Sequence, residues 1–94
     1  MTMEDSGKIR KHYWFGGRVQ GVGFRYRAYY IASSLGITGW VKNAWDDRVE
    51  MEAQGNREVL AQMVEMLGRQ QFIYIETIED EVIPVKEESS FYIR

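Results

Sequence analysis

The chain predicts an α+β sandwich, one antiparallel sheet covered on one face by two helices. Three observations carry this. Two segments repeat apolar residues at helical spacing, and five others are short apolar or alternating runs. Their order, β-α-β-β-α-β-β, is a doubled, split β-α-β arrangement with one extra strand, which places both helices on the same side of a sheet. The length of 94 residues suits one domain. A domain of that size buries roughly 60% of its unfolded surface, enough for one core. The expectation is a single domain over residues 8–94, preceded by a polar, flexible tail over residues 1–7.

The elements follow in chain order. Ile9 to Phe15 contains Ile, Tyr, Trp and Phe and suits a strand. Gly16 and Gly17 should end it, and Gly21 and Gly23 mark a loop. From Phe24 the period changes: Phe24, Ala28, Ile31, Ala32 and Leu35 share one helical face. Gly36 stands where a capping glycine follows a helix. Ile37 to Ala44 reads as a second strand. Val49, Met51 and Ala53 alternate with polar residues, as in a half-buried strand. Trp45-Asp46-Asp47 is the hairpin connection, although Asp-Asp is a weaker turn signal than Asp-Gly. Asn56 can cap a second helix with the stripe Val59, Leu60, Met63, Met66 and Leu67, which Gly68 ends. Ile73 to Ile83 supplies a strand stopped by Pro84. Phe91 and Ile93 form a short last one. This is the ferredoxin-like order, so the first and third strands should be central and the last should extend an edge.

Composition removes several chemistries. There is no cysteine, hence no disulfide and no thiolate nucleophile or ligand. A single histidine, His12, argues against a zinc cage or a Ser-His-Asp machine. No apolar run approaches the ~20 residues of a membrane helix, and residues 1–7 lack the apolar stretch of a signal peptide. The expectation is a soluble, cytoplasmic protein without membrane, metal or cofactor. Net charge is −2, but its distribution is uneven. Between Ser6 and Trp45 there is no acid, and Lys8, Arg10, Lys11, Arg18, Arg25, Arg27 and Lys42 give +7; the rest sums to −9. Either the basic half meets an anionic partner, or the halves neutralise each other across the fold.

The stretch Gly17-Arg18-Val19-Gln20-Gly21-Val22-Gly23-Phe24-Arg25 lies between a strand and a helix. The first helical turn has backbone N–H groups without intrahelical partners, and the helix dipole makes that end positive. A glycine-rich approach lets further N–H groups converge on an anion. Arg25, in the first turn, can offer a bidentate contact to phosphate oxygens. On the glycines alone, a plain tight turn with Arg25 on the surface is the better explanation.

The full string favours the anion site. GRVQGVGFR, followed about fourteen residues later by Gly39-Trp40-Val41-Lys42-Asn43, closely resembles the two signature segments of the acylphosphatase family. Weaker similarity runs from Ile9 to Leu67. The resemblance, to a small stand-alone member, implies a ferredoxin-like fold and metal-free hydrolysis of acyl phosphates, releasing inorganic phosphate. It implies a phosphate cradle of backbone N–H groups over Val19, Gln20, Gly21, Val22, Gly23 and Phe24. It further implies that Arg25 binds the phosphate and that Asn43 orients the attacking water. Asp46-Asp47 departs from the Asp-Gly common in the family. Gly68 to Ile75 lacks the usual proline, and the last third matches poorly.

Two other readings compete with the enzyme. One is an anion-binding module without turnover. The other is a single-stranded nucleic-acid binder using Tyr13 and Trp14, but Val49 to Ala53 offers no aromatic for stacking. A monomer with no nucleic-acid partner is expected. The remaining candidates read as structural. His12 is a satisfied strand histidine, and Trp40 packs under the sheet or beside the site. Tyr26, Tyr29 and Tyr30 pack on the first helix. Gln20 either touches substrate or shapes the turn. Arg18 and Lys42 either attract anions or are plain surface charge. Glu79 to Glu81 and Glu87-Glu88 are solvated.

Overall fold

A computed structural model describes residues 7–94. Of the expected tail, residues 1–6 lie outside the described residues. Five strands and two helices form β1 (Lys8–Arg18), α1 (Phe24–Ser34), β2 (Thr38–Asn43), β3 (Val49–Asn56), α2 (Arg57–Gly68), β4 (Tyr74–Ile83) and β5 (Phe91–Ile93). The sheet order is β4-β1-β3-β2-β5, with β1 and β3 inside and β5 at an edge. β1 pairs antiparallel with β3 and β4, and β2 antiparallel with β3. β5 runs parallel to β2, which makes the sheet mixed.

The core forms because alternate residues of the inner strands and one stripe of each helix turn to the same layer. Tyr13, Phe15, Val41, Val49, Met51 and Ala53 meet Phe24, Ala28, Ile31 and Ala32 of α1 and Leu60, Met63 and Leu67 of α2. Phe15 contacts Phe24, the first residue of α1, at a ring separation of 5.1 Å. Burying a side chain such as Phe24 contributes about 1.5–3 kcal/mol and fixes the start of the helix over β1. Gly39 sits at φ 144°, and a Cβ there would collide with the Glu52 carbonyl, so β2 approaches β3 closely only as glycine.

Several boundaries differ from the local reading. Gly16 and Gly17 do not end β1; the register to β4 shifts between them and the strand continues to Arg18. A bulge absorbs the irregularity that isolated glycines suggest. Leu35 caps α1, and Gly36 follows as the left-handed residue of a Schellman arrangement, with Ile37 N donating to Ala32 O at 2.9 Å and Gly36 N to Ser33 O at 3.2 Å. Asn56 precedes α2 but its side chain makes no capping bond. Gly68 is the last residue of α2, with Arg69 as its cap. Tyr26 and Tyr30 are exposed by 64% and 65%, so neither packs on the helix face as expected. The α1 stripe is filled by the smaller Ala28 and Ala32, which leave the tyrosines on the outer side.

The helix-free face carries an ionic cluster. Arg10 is fully buried there. Its guanidinium donates to Glu52 at 2.9 Å, to Glu88 at 2.7 Å and to the Gln54 amide oxygen at 3.3 Å. Glu88 is therefore not a plain solvated acid. It belongs to residues 84–90, which leave β4 at one edge and deliver β5 to the other. Gln54 holds the same segment, donating to Lys86 O at 2.7 Å and accepting from Lys86 N at 2.8 Å. His12 bridges Glu50 at 2.7 Å and Glu52 at 2.8 Å.

Desolvation pushes the Glu52 carboxyl pKa up, but hydrogen bonds from His12 and Arg10 outweigh it and hold the pKa below its ordinary value. A carboxylate lowered in the folded state stabilises above its unfolded pKa, and that stabilisation is lost as pH falls through the folded value. Glu52→Gln should lower the unfolding free energy by about 1–3 kcal/mol at pH 7. The gap to wild type should narrow as pH falls below about 4.5, the ordinary glutamate value, in urea titrations; a gap that does not change with pH would remove Glu52 ionisation from the stability balance.

Candidate functional site

The site lies where β1 hands over to α1. After Arg18 the chain runs Val19 to Gly23 and enters the helix at Phe24. Val19 and Phe24 are buried, by 1% and 2% exposure, and pin both ends of the loop. Between them Gly21 (φ 74°) and Gly23 (φ 84°) are left-handed while Val22 is not. Alternation of this kind turns successive N–H groups toward one side. Residues 20–23 form a turn, and among the described residues the backbone N–H groups of Gln20, Gly21, Val22, Gly23 and Phe24 make no close hydrogen bond to a backbone carbonyl. Gly23 is the N-cap residue and brings no side-chain cap, so the positive end of α1 is also uncapped.

Gln20 fastens this loop to its neighbour. Its amide nitrogen donates to Ala44 O at 2.8 Å and to Arg48 O at 2.9 Å, across the base of the β2–β3 hairpin. The side chain is thus spent on shaping the loop, which leaves only its backbone N–H for an anion. The hairpin is itself braced. Ala44 N donates to Arg48 O at 2.8 Å, and Arg48 Nε to Asp46 at 2.8 Å. Desolvation pushes the Asp46 carboxyl pKa up, and hydrogen bonds from Arg48 overcome it to lower the pKa. Asp47 takes the left-handed position at φ 72°, where glycine is easier.

Asn43 ends β2 and is exposed. It shares strand parity with Val41, which is buried under α1, so it faces the helix side. Its amide makes no hydrogen bond to a described residue. Arg25 is the second residue of α1, which packs over β2 and β5. Its Nη1 donates to the main-chain oxygen of Arg94, the last residue of the sequence, at 3.3 Å. The fold thus gathers the N–H loop, Arg25 and Asn43 at one end of the sheet. The Arg94 oxygen is a partner that sequence reasoning missed, because a main-chain acceptor leaves no mark in residue type.

The other singled-out residues lie elsewhere or are engaged. Trp40 is 7% exposed on the helix-free face, under the Arg94 guanidinium at 4.6 Å. Lys42 lies 3.8 Å from Glu50 and near the Trp40 ring, and Arg18 lies over Tyr74 at 5.5 Å. Among the described residues no cluster of three His, Asp or Glu is placed to hold a metal. No described helix is long and apolar enough to cross a membrane.

The strand order and helix placement define a ferredoxin-like sandwich with a glycine turn at its first strand-to-helix junction. The acylphosphatase family model matches residues 11–93, and the chain belongs to the acylphosphatase family. An acylphosphatase of Trichormus variabilis is 54% identical over 56 residues, which span 60% of this chain and 55% of that protein. One of Clostridium acetobutylicum is 44% identical over 79 residues, 82% of this chain and 87% of that protein. The solved structure of an acylphosphatase from Coxiella burnetii superposes with a TM-score of 0.89 over 100% of both chains at 33% identity.

Gln20→Ala removes a donor shared by two carbonyls and should lower stability by about 1–2 kcal/mol without any anion present. Thermal unfolding in phosphate-free buffer tests this; an unchanged midpoint would return Gln20 to a substrate role.

Proposed function

We propose that the chain hydrolyses acyl phosphates, the mixed anhydrides of carboxylic and phosphoric acid, to a carboxylate and inorganic phosphate. The observation that carries this reading is the glycine turn from Gln20 to Phe24, whose N–H groups make no close hydrogen bond to a described backbone carbonyl, flanked by Arg25 and Asn43. Family membership supports the reaction class.

In this reading the phosphoryl oxygens rest against the backbone N–H groups of Val19, Gln20, Gly21, Val22, Gly23 and Phe24. Arg25 adds a charged, forked donor. Such preorganised donors act on charge that grows during phosphoryl transfer, a reaction driven mainly by positioning and electrostatics. The Asn43 amide orients a water but is no base. Water oxygen bonds to phosphorus as the bond from phosphorus to the acyl oxygen breaks. The electron pair leaves with the carboxylate, a weakly basic group that needs little acid assistance. The water proton passes to a phosphoryl oxygen of the substrate itself. His12 takes no part, since Glu50 and Glu52 occupy both ring nitrogens.

A nucleic-acid role finds little support. Trp14 and Trp40 on the helix-free face stand among Glu50, Glu52, Glu79 and Glu81, which repel phosphates. An anion-binding module without turnover remains the competitor, and Asn43 is the residue such a module would not need.

Benzoyl phosphate hydrolysis, followed by ultraviolet absorbance, separates these readings. Arg25→Ala should lower kcat by at least ~100-fold. Asn43→Ala should lose turnover yet keep inorganic phosphate binding. Wild-type phosphate binding without hydrolysis would favour the module, and near-normal Arg25→Ala activity would remove Arg25 from the mechanism.

A further inference from the structure

Trp45 is exposed by 95%, more than any other large apolar side chain among the described residues. Isolated exposed apolar residues are ordinary, and a tryptophan usually buries most of its surface. Its position is what distinguishes it. It follows Asn43 by two residues, so the two Cα atoms lie within about 7 Å of each other. It directly follows Ala44, whose carbonyl accepts the Gln20 bond that ties hairpin to loop. The indole therefore rides on the same rigid link that joins Asn43 to the N–H cradle.

That link is braced rather than loose. The Ala44–Arg48 backbone bond, the Asp46–Arg48 contacts and the Gln20 bridge hold both sides of the tip. A ring carried on such a turn is presented in a restricted region, so little ordering opposes contact with a ligand. The cradle itself is polar backbone with one guanidinium, and it recognises only the phosphoryl end. The acyl group must leave the cradle toward solvent, and Trp45 is a large exposed apolar side chain two residues from Asn43.

We infer that Trp45 is a specificity-determining contact for the acyl side, favouring acyl phosphates with a planar aromatic or extended apolar acyl group over acetyl-sized ones. This rests on the reading of the site as one for acyl phosphates. The expected interaction is an offset or edge contact between indole and acyl group. It acts on binding, so it belongs in KM rather than in kcat.

The test compares wild type, Trp45→Ala and Trp45→Phe. Calorimetry with the non-hydrolysable benzoylphosphonate and acetylphosphonate gives the acyl preference without any turnover. Wild type should prefer the benzoyl compound, and Trp45→Ala should reduce that preference about fivefold, a size in keeping with loss of one aromatic contact. Trp45→Phe should retain most of it. In turnover, the benzoyl-to-acetyl ratio of kcat/KM should fall by the same factor in Trp45→Ala, through KM. A preference unchanged in Trp45→Ala, or absent in wild type, overturns the inference and assigns the indole to a contact outside the reaction. Loss of all wild-type hydrolysis with the binding preference intact would overturn the enzymatic reading while sustaining Trp45 as the acyl contact.

Discussion

The buried Arg10 guanidinium holds the architecture together across its longest connection. β4 and β5 occupy opposite edges of the sheet, so residues 84–90 must cross from one side to the other. A crossing segment has no ladder of its own and needs fixed anchors. Arg10 supplies one through Glu88, and Gln54 supplies another through both backbone groups of Lys86. A buried charge without partners would be strongly destabilising, so the positions of Glu52 and Glu88 are over-determined by Arg10. The consequence reaches the far end of the molecule. Once the segment is placed, β5 pairs with β2, Arg94 N bonds to Val41 O, and the Arg94 main-chain oxygen meets Arg25.

The proposed cradle depends on a second constraint, that its amides stay available to an anion. Gly21 and Gly23, both left-handed, shape the turn that carries them. An open loop of that sort would collapse onto other acceptors if it were mobile. Val19 and Phe24 prevent this by burying its two ends, and Gln20 by clamping its middle to the hairpin. Part of the loop is therefore core, part is hydrogen-bonded, and only the backbone donors are left over.

What could be read in the sequence is what depends on near neighbours. The stripe Phe24, Ala28, Ile31 and Ala32 and the alternation of Val49, Met51 and Ala53 specify their elements locally, and both occupy the core. Arg25 and Asn43 stood out through the family resemblance, and the fold sets both at one end of the sheet. The misses are long-range. Glu88 looked solvated because Arg10 lies 78 residues away. Gly16 and Gly17 looked like an end because a bulge exists only relative to β4. Tyr26 and Tyr30 looked like packing residues because helical spacing alone does not say how wide the buried stripe is. The Gln20 and Arg25 bonds to main-chain oxygens had no signal, since every residue carries such an acceptor.

The charge asymmetry finds a partial explanation in this geometry. Much of the basic first half is neutralised by the acidic second half: Arg10 by Glu52 and Glu88, Lys11 by Asp80, Lys42 by Glu50. Those pairings are cross-strand or anchor the crossing segment, and they use up positive charge on the sheet. Arg25 is placed differently. It stands on the first turn of α1, and its partner is a main-chain oxygen of Arg94, the last residue of the sequence, rather than one of those side-chain acids. The contact is solvent-exposed, where a pairing of charges contributes little, so an anion at the loop can compete for the guanidinium.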